Sequence, residues 1–215
     1  MFSTLLVSAT SLLKFVLSVP LKVDWSRSSL YFCLASIGAS PLVWNVVARN
    51  EYRNKTLTRL VGARVGCGIL GSVIFLAGLN RDVLYRIALH DQPQHPLPYE
   101  MQTVVSWMIF GTGNFLVFTS FIALGFYGTY LGDYFGILQE KRVTQFPFNI
   151  LRDPMYVGST MCFIGAALWY ERPVGLLISV YVSLIYYVAL RFEGPFTDMI
   201  YAESKKGPEA ENKSE

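Results

Sequence analysis

Residues 103–126 read TVVSWMIFGTGNFLVFTSFIALGF and contain no charged side chain. A helix rises about 1.5 Å per residue, so a run of this length crosses a hydrocarbon layer roughly 30 Å thick. The segment therefore predicts a membrane-spanning helix, and it indicates that the chain is an all-α integral membrane protein.

The composition of the whole chain supports this interpretation. Hydrophobic residues make up 53% of the 215 positions and charged residues 15%, which is more apolar surface than a soluble core of this size hides. The formal net charge is +3, and the charges fall in short clusters between apolar stretches. Such weak, interrupted basicity is typical of membrane orientation signals and predicts no nucleic-acid partner.

Further apolar stretches lie on both sides of the first one. Their bounds are 28–48 and 60–80 before it, and 155–170 and 173–190 after it. The last two have about 16 to 18 residues each, which is barely enough to cross alone. Together the stretches predict a helical bundle of about four to five membrane-spanning helices, preceded by an N-terminal interfacial or intramembrane helix in residues 1–20.

Composition also divides the chain into three parts. Residues 1–27 comprise the N-terminal helix and a linker, residues 28–201 form the membrane domain, and residues 202–215 are a polar tail of mixed charge that we expect to be disordered.

The distribution of basic residues orients the spans. The loop at 49–59 carries four basic residues and one acid, so the positive-inside rule places it in the cytosol. Counting spans then places the 81–102 loop in the lumen. If residues 155–190 form a hairpin that crosses twice, residues 152–156 and Glu193 return to the cytosolic face.

Residues 128–159 mix acids, bases, aromatics and glycines, and they predict an ordered, irregular platform at the membrane boundary. Asp133 and Glu193 are the acids best placed for function, because an ionisable group at a membrane boundary needs a partner or a ligand. An acid among aromatic rings is suited to bind an ammonium or sulfonium cation. The alternative is an aromatic belt with ordinary interface charges. The candidate aromatic residues are Tyr130, Tyr134 and Phe135.

Several other features have simple explanations. The Gly111-Thr112-Gly113 sequence within the first-quoted span is, taken alone, more typical of helix packing than of ligand binding. His90 and His95 have no third ligand nearby in the sequence, so we expect solvated loop residues. The three cysteines lie inside apolar stretches without metal-ligand spacing, and no metal site is predicted.

A long set of ordered motifs resembles the phospholipid N-methyltransferases, in particular the fungal methylene-fatty-acyl-phospholipid synthases. The likeness covers roughly residues 38–201. The motifs are Gly128-Thr129-Tyr130-Leu131-Gly132-Asp133-Tyr134-Phe135-Gly136-Ile137-Leu138, Arg142-Val143-Thr144, Phe146-Pro147-Phe148-Asn149, Pro154-Met155-Tyr156 with Gly158-Ser159-Thr160, and Glu193 with Pro195-Phe196-Thr197 and Ile200-Tyr201. Further matches precede them at Pro41, Trp44-Asn45-Val46-Val47-Ala48-Arg49 and Glu51.

The resemblance implies an enzyme of the endoplasmic reticulum, with the mitochondrial membrane as an alternative, whose active site faces the cytosol. It implies transfer of methyl groups from S-adenosylmethionine to the amine of phosphatidylethanolamine derivatives, above all the mono- and dimethylated forms, ending at phosphatidylcholine. The phospholipid substrate comes from the bilayer. The sequence indicates neither an oligomeric state nor which of the three methylations the chain performs.

The resemblance also implies cofactor-binding positions. The family's positions fall on Gly111-Thr112-Gly113 and on an acidic pair that here is Glu193-Gly194, so this chain lacks the second acid. Isoprenylcysteine carboxyl methyltransferases share an Arg-x-Pro-x-Tyr pattern, which by analogy places Arg152 and Tyr156 near the cofactor.

The chemistry requires a proton acceptor, because an ammonium group has no lone pair with which to attack a methyl group. Asp133, Glu193 and Tyr156 are the candidates for this role. Two alternative functions are a non-enzymatic multispan scaffold or transporter subunit, and isoprenylcysteine carboxyl methylation.

Overall fold

A computed structural model describes residues 22–139 and 143–211, although for residues 205–211 only the backbone is described. The predicted N-terminal helix at 1–20 lies outside the described residues. The described part contains helices and no strand, which confirms the all-α prediction. The helices are α1 (Ser28–Asn54), α2 (Thr56–Val61), α3 (Ala63–His90), α4 (Ser106–Thr129), α5 (Pro154–Trp169) and α6 (Pro173–Glu211); a π-helix, Glu100–Val105, precedes α4, and a 3-10 helix, Gly132–Phe135, follows it.

Four helical segments within the described residues are long and apolar enough to cross a membrane. They are Ser28–Asn54, Ala63–His90, Glu100–Phe135 and Pro173–Ser204. Large apolar side chains on these segments are exposed, among them Phe32 at 66% and Phe118 at 64%, as expected of surfaces that contact lipid. The structure therefore agrees with the lower figure of the predicted four to five spans.

The second span begins and ends later than the sequence predicted. Gly62 has a φ of 84° and separates α2 from α3, so the span begins at Ala63 rather than at residue 60. It continues to His90, so residues 81–90 of the predicted 81–102 loop are helical. The prediction ended the span at residue 80, before Arg81, but the guanidinium of Arg81 pairs with Asp82 at 2.8 Å. Paired charges of this kind are tolerated inside a helix, and apolar residues continue beyond them.

The last helix is longer than predicted. α6 has 39 residues and ends at Glu211, whereas the sequence predicted an apolar helix over 173–190 and a polar tail from residue 202. The division of the chain at residues 27 and 201 stays a prediction.

The chain forms two compact units, and each takes part of α1, α3, α4 and α6. In its described part, the first unit consists of residues 22–37, 80–118 and 153–184, and the second of residues 38–79, 119–152 without 140–142, and 185–211.

In the first unit, the turn between α5 and α6 holds the loop that follows α3. The Glu171 carboxylate accepts a hydrogen bond from the backbone N–H of Leu97 at 2.8 Å, and the Glu171 carbonyl accepts one from the N–H of His95 at 2.9 Å. The ring of His90 lies 5.0 Å from that of Tyr170. The two histidines that were predicted to be solvated loop residues thus both contact this turn. The described residues contain no cluster of three or more metal-ligating side chains.

In the second unit, Glu51 fixes the connection between α1 and α2. Its side chain is 1% exposed, and its carboxylate accepts hydrogen bonds from the backbone N–H groups of Leu57 at 2.7 Å and Thr58 at 2.9 Å. These N–H groups lie in the first turn of α2, where a helix has no internal acceptors, so the acid caps the helix. The surrounding core consists of Ala48, Cys67, Leu70, Tyr134, Phe135 and Ile200.

Candidate active site

The second unit brings Glu193 and its neighbours together on α6. Asn45 of α1 donates a hydrogen bond from Nδ2 to Glu193 Oε1 at 2.9 Å, across 148 positions of sequence. A Cβ atom added to Gly194 would meet one atom within 4 Å, Arg152 Nη2 at 3.8 Å. Glu193, Gly194 and Arg152, three of the predicted site residues, are therefore neighbours in the structure.

Asp133 approaches the same stretch of α6 from the 3-10 helix. Leu131 before this helix and Gly136 after it have left-handed backbone conformations, with φ values of 60° and 78°, so the segment turns tightly. Thr197, one helical turn after Glu193, donates a hydrogen bond from Oγ1 to Asp133 Oδ2 at 2.9 Å. Of the two acids singled out from the sequence, Glu193 thus belongs to α6, and Asp133 contacts the same helix one turn further along.

Two of the three predicted substrate-binding aromatics are buried beside these acids. Tyr134 is 2% exposed and Phe135 6%. The Tyr134 ring stacks on the Phe196 ring of α6, with centroids 5.1 Å apart and an angle of 16° between the planes. Tyr130 is placed differently, because it packs against α3, where a Cβ atom on Gly71 would lie 2.9 Å from the Tyr130 Cβ.

Sequence reasoning assigned no role to two polar residues of α1 that meet α6. Asn45 contacts Glu193, and Arg49 donates from Nη2 to the carbonyl of Phe192 at 2.8 Å. The signal that could have identified them was present: an Asn and an Arg one turn apart at the end of an apolar span are expected to have partners.

In the first unit, Gly113 lies in a contact between α4 and α5. A Cβ atom on Gly113 would lie 2.6 Å from the carbonyl oxygen of Gly158 and 2.9 Å from the backbone nitrogen of Cys162. A Cβ atom on Gly165 would in turn lie 2.7 Å from the backbone nitrogen of Phe110. α5 therefore packs antiparallel on the first half of α4 and begins beside its middle. Gly111 differs from Gly113, because it has open space around it.

The predicted site residues are divided between the two units. The second unit contains Asp133, Glu193, Gly194, Arg152, Tyr130, Tyr134 and Phe135, and the first contains Gly111, Thr112, Gly113 and Tyr156. The surroundings of Glu193 fit a bound polar ligand, since the carboxylate is half-buried and Gly194 leaves space beside it. Gly113 leaves no space for a ligand beside it, which supports a role in helix packing. Gly111 does leave such space.

We expect Gly113→Ala to lower the free energy of unfolding by about 1 to 3 kcal/mol, because the added methyl group overlaps the backbone of α5. Gly111→Ala is the matched control, two positions away in the same helix, and should leave stability nearly unchanged apart from its favourable helix propensity. Thermal unfolding of the purified variants in detergent measures both. Equal melting temperatures for the two variants would contradict the packing role.

Comparison with known proteins gives consistent matches. A profile of the family described as phospholipid methyltransferase matches residues 101–204. The chain is 50% identical to a phosphatidyl-N-methylethanolamine N-methyltransferase of Neurospora crassa, over 84% of this chain and 86% of the relative. No solved structure matches the chain.

Relatives from other organisms are similar over comparable lengths. A phosphatidyl-N-methylethanolamine N-methyltransferase of Saccharomyces cerevisiae is 46% identical, over 86% of this chain and 90% of the relative. A phosphatidylethanolamine N-methyltransferase of Rattus norvegicus is 45% identical, over 83% of this chain and 91% of the relative.

Proposed function

Because this chain belongs to the phospholipid methyltransferase family, we propose that it transfers methyl groups from S-adenosylmethionine to the amine of phosphatidylethanolamine derivatives, ending at phosphatidylcholine. The chain is a membrane enzyme. The names of the Neurospora and Saccharomyces relatives support monomethylated acceptors, and we propose the mono- and dimethylated lipids as preferred substrates.

One observation of the structure carries the proposal. A half-buried carboxylate, Glu193, lies in the second half of the spanning segment Pro173–Ser204, with Asn45 hydrogen-bonded to it and the stacked rings of Tyr134 and Phe196 one turn away. An acid in this environment is costly unless it is paired or binds a ligand, and a carboxylate beside aromatic rings attracts cations. Both reactants of the proposed reaction carry a cationic group.

The residues that would hold the cofactor are Glu193, Gly194 and Arg152 of the second unit. Gly111 and Thr112, which the resemblance also implies, stay predictions, whereas the space beside Gly113 is taken up by α5. When bound, S-adenosylmethionine supplies an electrophilic methyl group on a sulfonium. Glu193 would accept hydrogen bonds from the cofactor, and Gly194 would leave room for it, because it has no side chain.

The lipid amine would enter among the aromatic residues Tyr130, Tyr134 and Phe135. Its ammonium form must first lose a proton, and Asp133, Glu193 and Tyr156 remain the candidate acceptors. Asp133 is favoured by its position, since Thr197 holds one carboxylate oxygen and thereby orients the other. We further propose that the membrane is that of the endoplasmic reticulum, with the mitochondrial membrane as an alternative, and that the site faces the cytosol.

The direct test uses the purified full chain, labelled S-adenosylmethionine and three acceptor lipids: phosphatidylethanolamine and its mono- and dimethylated forms. We expect label in the lipid product, with the methylated acceptors used most efficiently. Transfer to none of the three would refute the proposal and favour a scaffold or transporter subunit. Transfer only to an isoprenylcysteine carboxylate would favour that alternative reaction.

A second measurement tests the role of Glu193 as a cofactor ligand. Glu193→Gln keeps the size of the side chain and an acceptor for Asn45 but removes the charge, so we expect the affinity for S-adenosylhomocysteine to fall about 10-fold or more. Calorimetry measures the affinity, and Asp198→Asn, at an exposed position on the same helix, is the control. An unchanged affinity with a reduced rate would instead assign Glu193 to proton transfer.

A further inference from the structure

Four buried side-chain polar atoms of the second unit have no hydrogen-bond partner among the described residues, and three of them belong to residues that contact α6. These three are Asn45 Oδ1, Arg49 Nε and the hydroxyl oxygen of Tyr134, and the fourth atom is Thr129 Oγ1. A buried polar atom left without a partner destabilises the folded state, because it has lost its hydrogen bonds to water without replacing them. A group of three such atoms in one place indicates a ligand that satisfies them.

The three atoms lie around one segment of α6, residues 192–196. Asn45 and Arg49 are one helical turn apart on α1, and they bind Glu193 and the Phe192 carbonyl respectively. The guanidinium of Arg49 lies 4.7 Å from the centroid of the Phe196 ring, on which Tyr134 also stacks. Phe196 thus contacts both Arg49 and Tyr134.

The hydrogen bonds that these side chains already make determine which ligand group each unpaired atom can bind. Asn45 Nδ2 donates to two acceptors, Glu193 Oε1 and the carbonyl of Pro41 at 2.9 Å, which sets the orientation of the amide and leaves its oxygen open to a donor. Arg49 Nε is a charged donor and requires an acceptor, best an anionic oxygen. The Tyr134 hydroxyl can donate or accept.

We propose that Asn45, Arg49 and Tyr134 form a binding site for a zwitterion, in which Arg49 binds an anionic oxygen and Asn45, beside the Glu193 carboxylate, binds an ammonium group. The site rests on the proposed function, which supplies two ligands with this chemistry. One is the amino-acid end of S-adenosylmethionine, with its ammonium and carboxylate. The other is the lipid headgroup, with its amine and phosphate.

The experiment separates the two sources by combining side-chain changes with truncated ligands. Binding of S-adenosylhomocysteine and of methylthioadenosine, which lacks the amino-acid end, is measured for the full chain, together with the KM for the monomethylated lipid. The variants are Arg49→Gln and Arg49→Lys, and the control is Arg53→Gln, an exposed arginine one turn further along α1 that has the same effect on net charge.

If the anion is the cofactor carboxylate, Arg49→Gln should weaken S-adenosylhomocysteine binding about 10-fold to 100-fold and leave methylthioadenosine binding and the lipid KM unchanged. If the anion is the lipid phosphate, the lipid KM should rise by a similar factor while both nucleosides bind as before. Arg49→Lys should show part of the same effect, because it keeps the charge but loses the Nε donor.

The proposal is overturned if Arg49→Gln and Arg53→Gln behave alike, or if both nucleosides and the lipid are affected equally, which would indicate general damage to the fold. Arg49→Lys retains the positive charge near Phe196, so it should damage the fold less than Arg49→Gln. Failure of the proposed function would give a different result. An unmutated protein that methylates no lipid would refute that function, but if it binds S-adenosylhomocysteine, the effect of Arg49→Gln on this binding would still test whether Arg49 binds the cofactor carboxylate.

Discussion

Asp133→Asn is expected to lower the rate of methyl transfer at neutral pH by about 100-fold to 10,000-fold, which is the usual contribution of a positioned general base. The amide is nearly isosteric, and its oxygen can still accept the hydrogen bond from Thr197, so the 3-10 helix should keep its position. What the variant loses is the ability to take up the proton of the lipid ammonium.

The dependence on pH gives the sharper readout. As the pH rises, a larger fraction of the amine is already neutral, so the rate of Asp133→Asn should recover between about pH 6 and pH 10, whereas the unmutated enzyme should gain much less over this range. Asp198→Asn, an exposed acid next to Thr197, is the control. A near-normal rate for Asp133→Asn at pH 7, with unchanged thermal stability, would remove Asp133 from the reaction.

Glycosylation of acceptor sequences tests which side of the membrane each loop occupies. The chain contains two acceptor sequences, Asn54-Lys55-Thr56 and Asn212-Lys213-Ser214, and such sites are modified only in the lumen. We expect both to remain unmodified, because the basic loop at 49–59 is oriented to the cytosol. A new acceptor sequence on a flexible spacer inserted after Pro93 should be glycosylated.

Within the second unit, the end of α6 contacts the end of α1, although Asn212 itself lies outside the described residues. The Tyr52 hydroxyl of α1 donates to Glu203 Oε2 at 2.6 Å, and Tyr52 belongs to the basic loop that is oriented to the cytosol. A glycosidase-sensitive mass shift at Asn212 would contradict a cytosolic active site.

The sequence alone determined those properties that are sums of contributions from individual residues. Hydropathy and length identified each spanning helix, because the transfer of a segment into a bilayer depends on the summed preferences of its own side chains. Ordered motifs such as 128–138 identified the family, since chemistry requires particular residue types at particular spacings. Local reasoning ended the second span at residue 80, whereas the helix continues past the paired charges of Arg81 and Asp82 to His90.

The tertiary structure decided which of those residues meet. The contact of Asn45 with Glu193 joins residues 148 positions apart, and no local pattern encodes it. Likewise, the sequence left two explanations for Gly113, and the structure supports packing, because the backbone of Gly158 occupies the space beside it. Helices in a membrane associate through close packing and a few polar contacts rather than through hydrophobic burial, so their pairing depends on the shapes of whole helix surfaces.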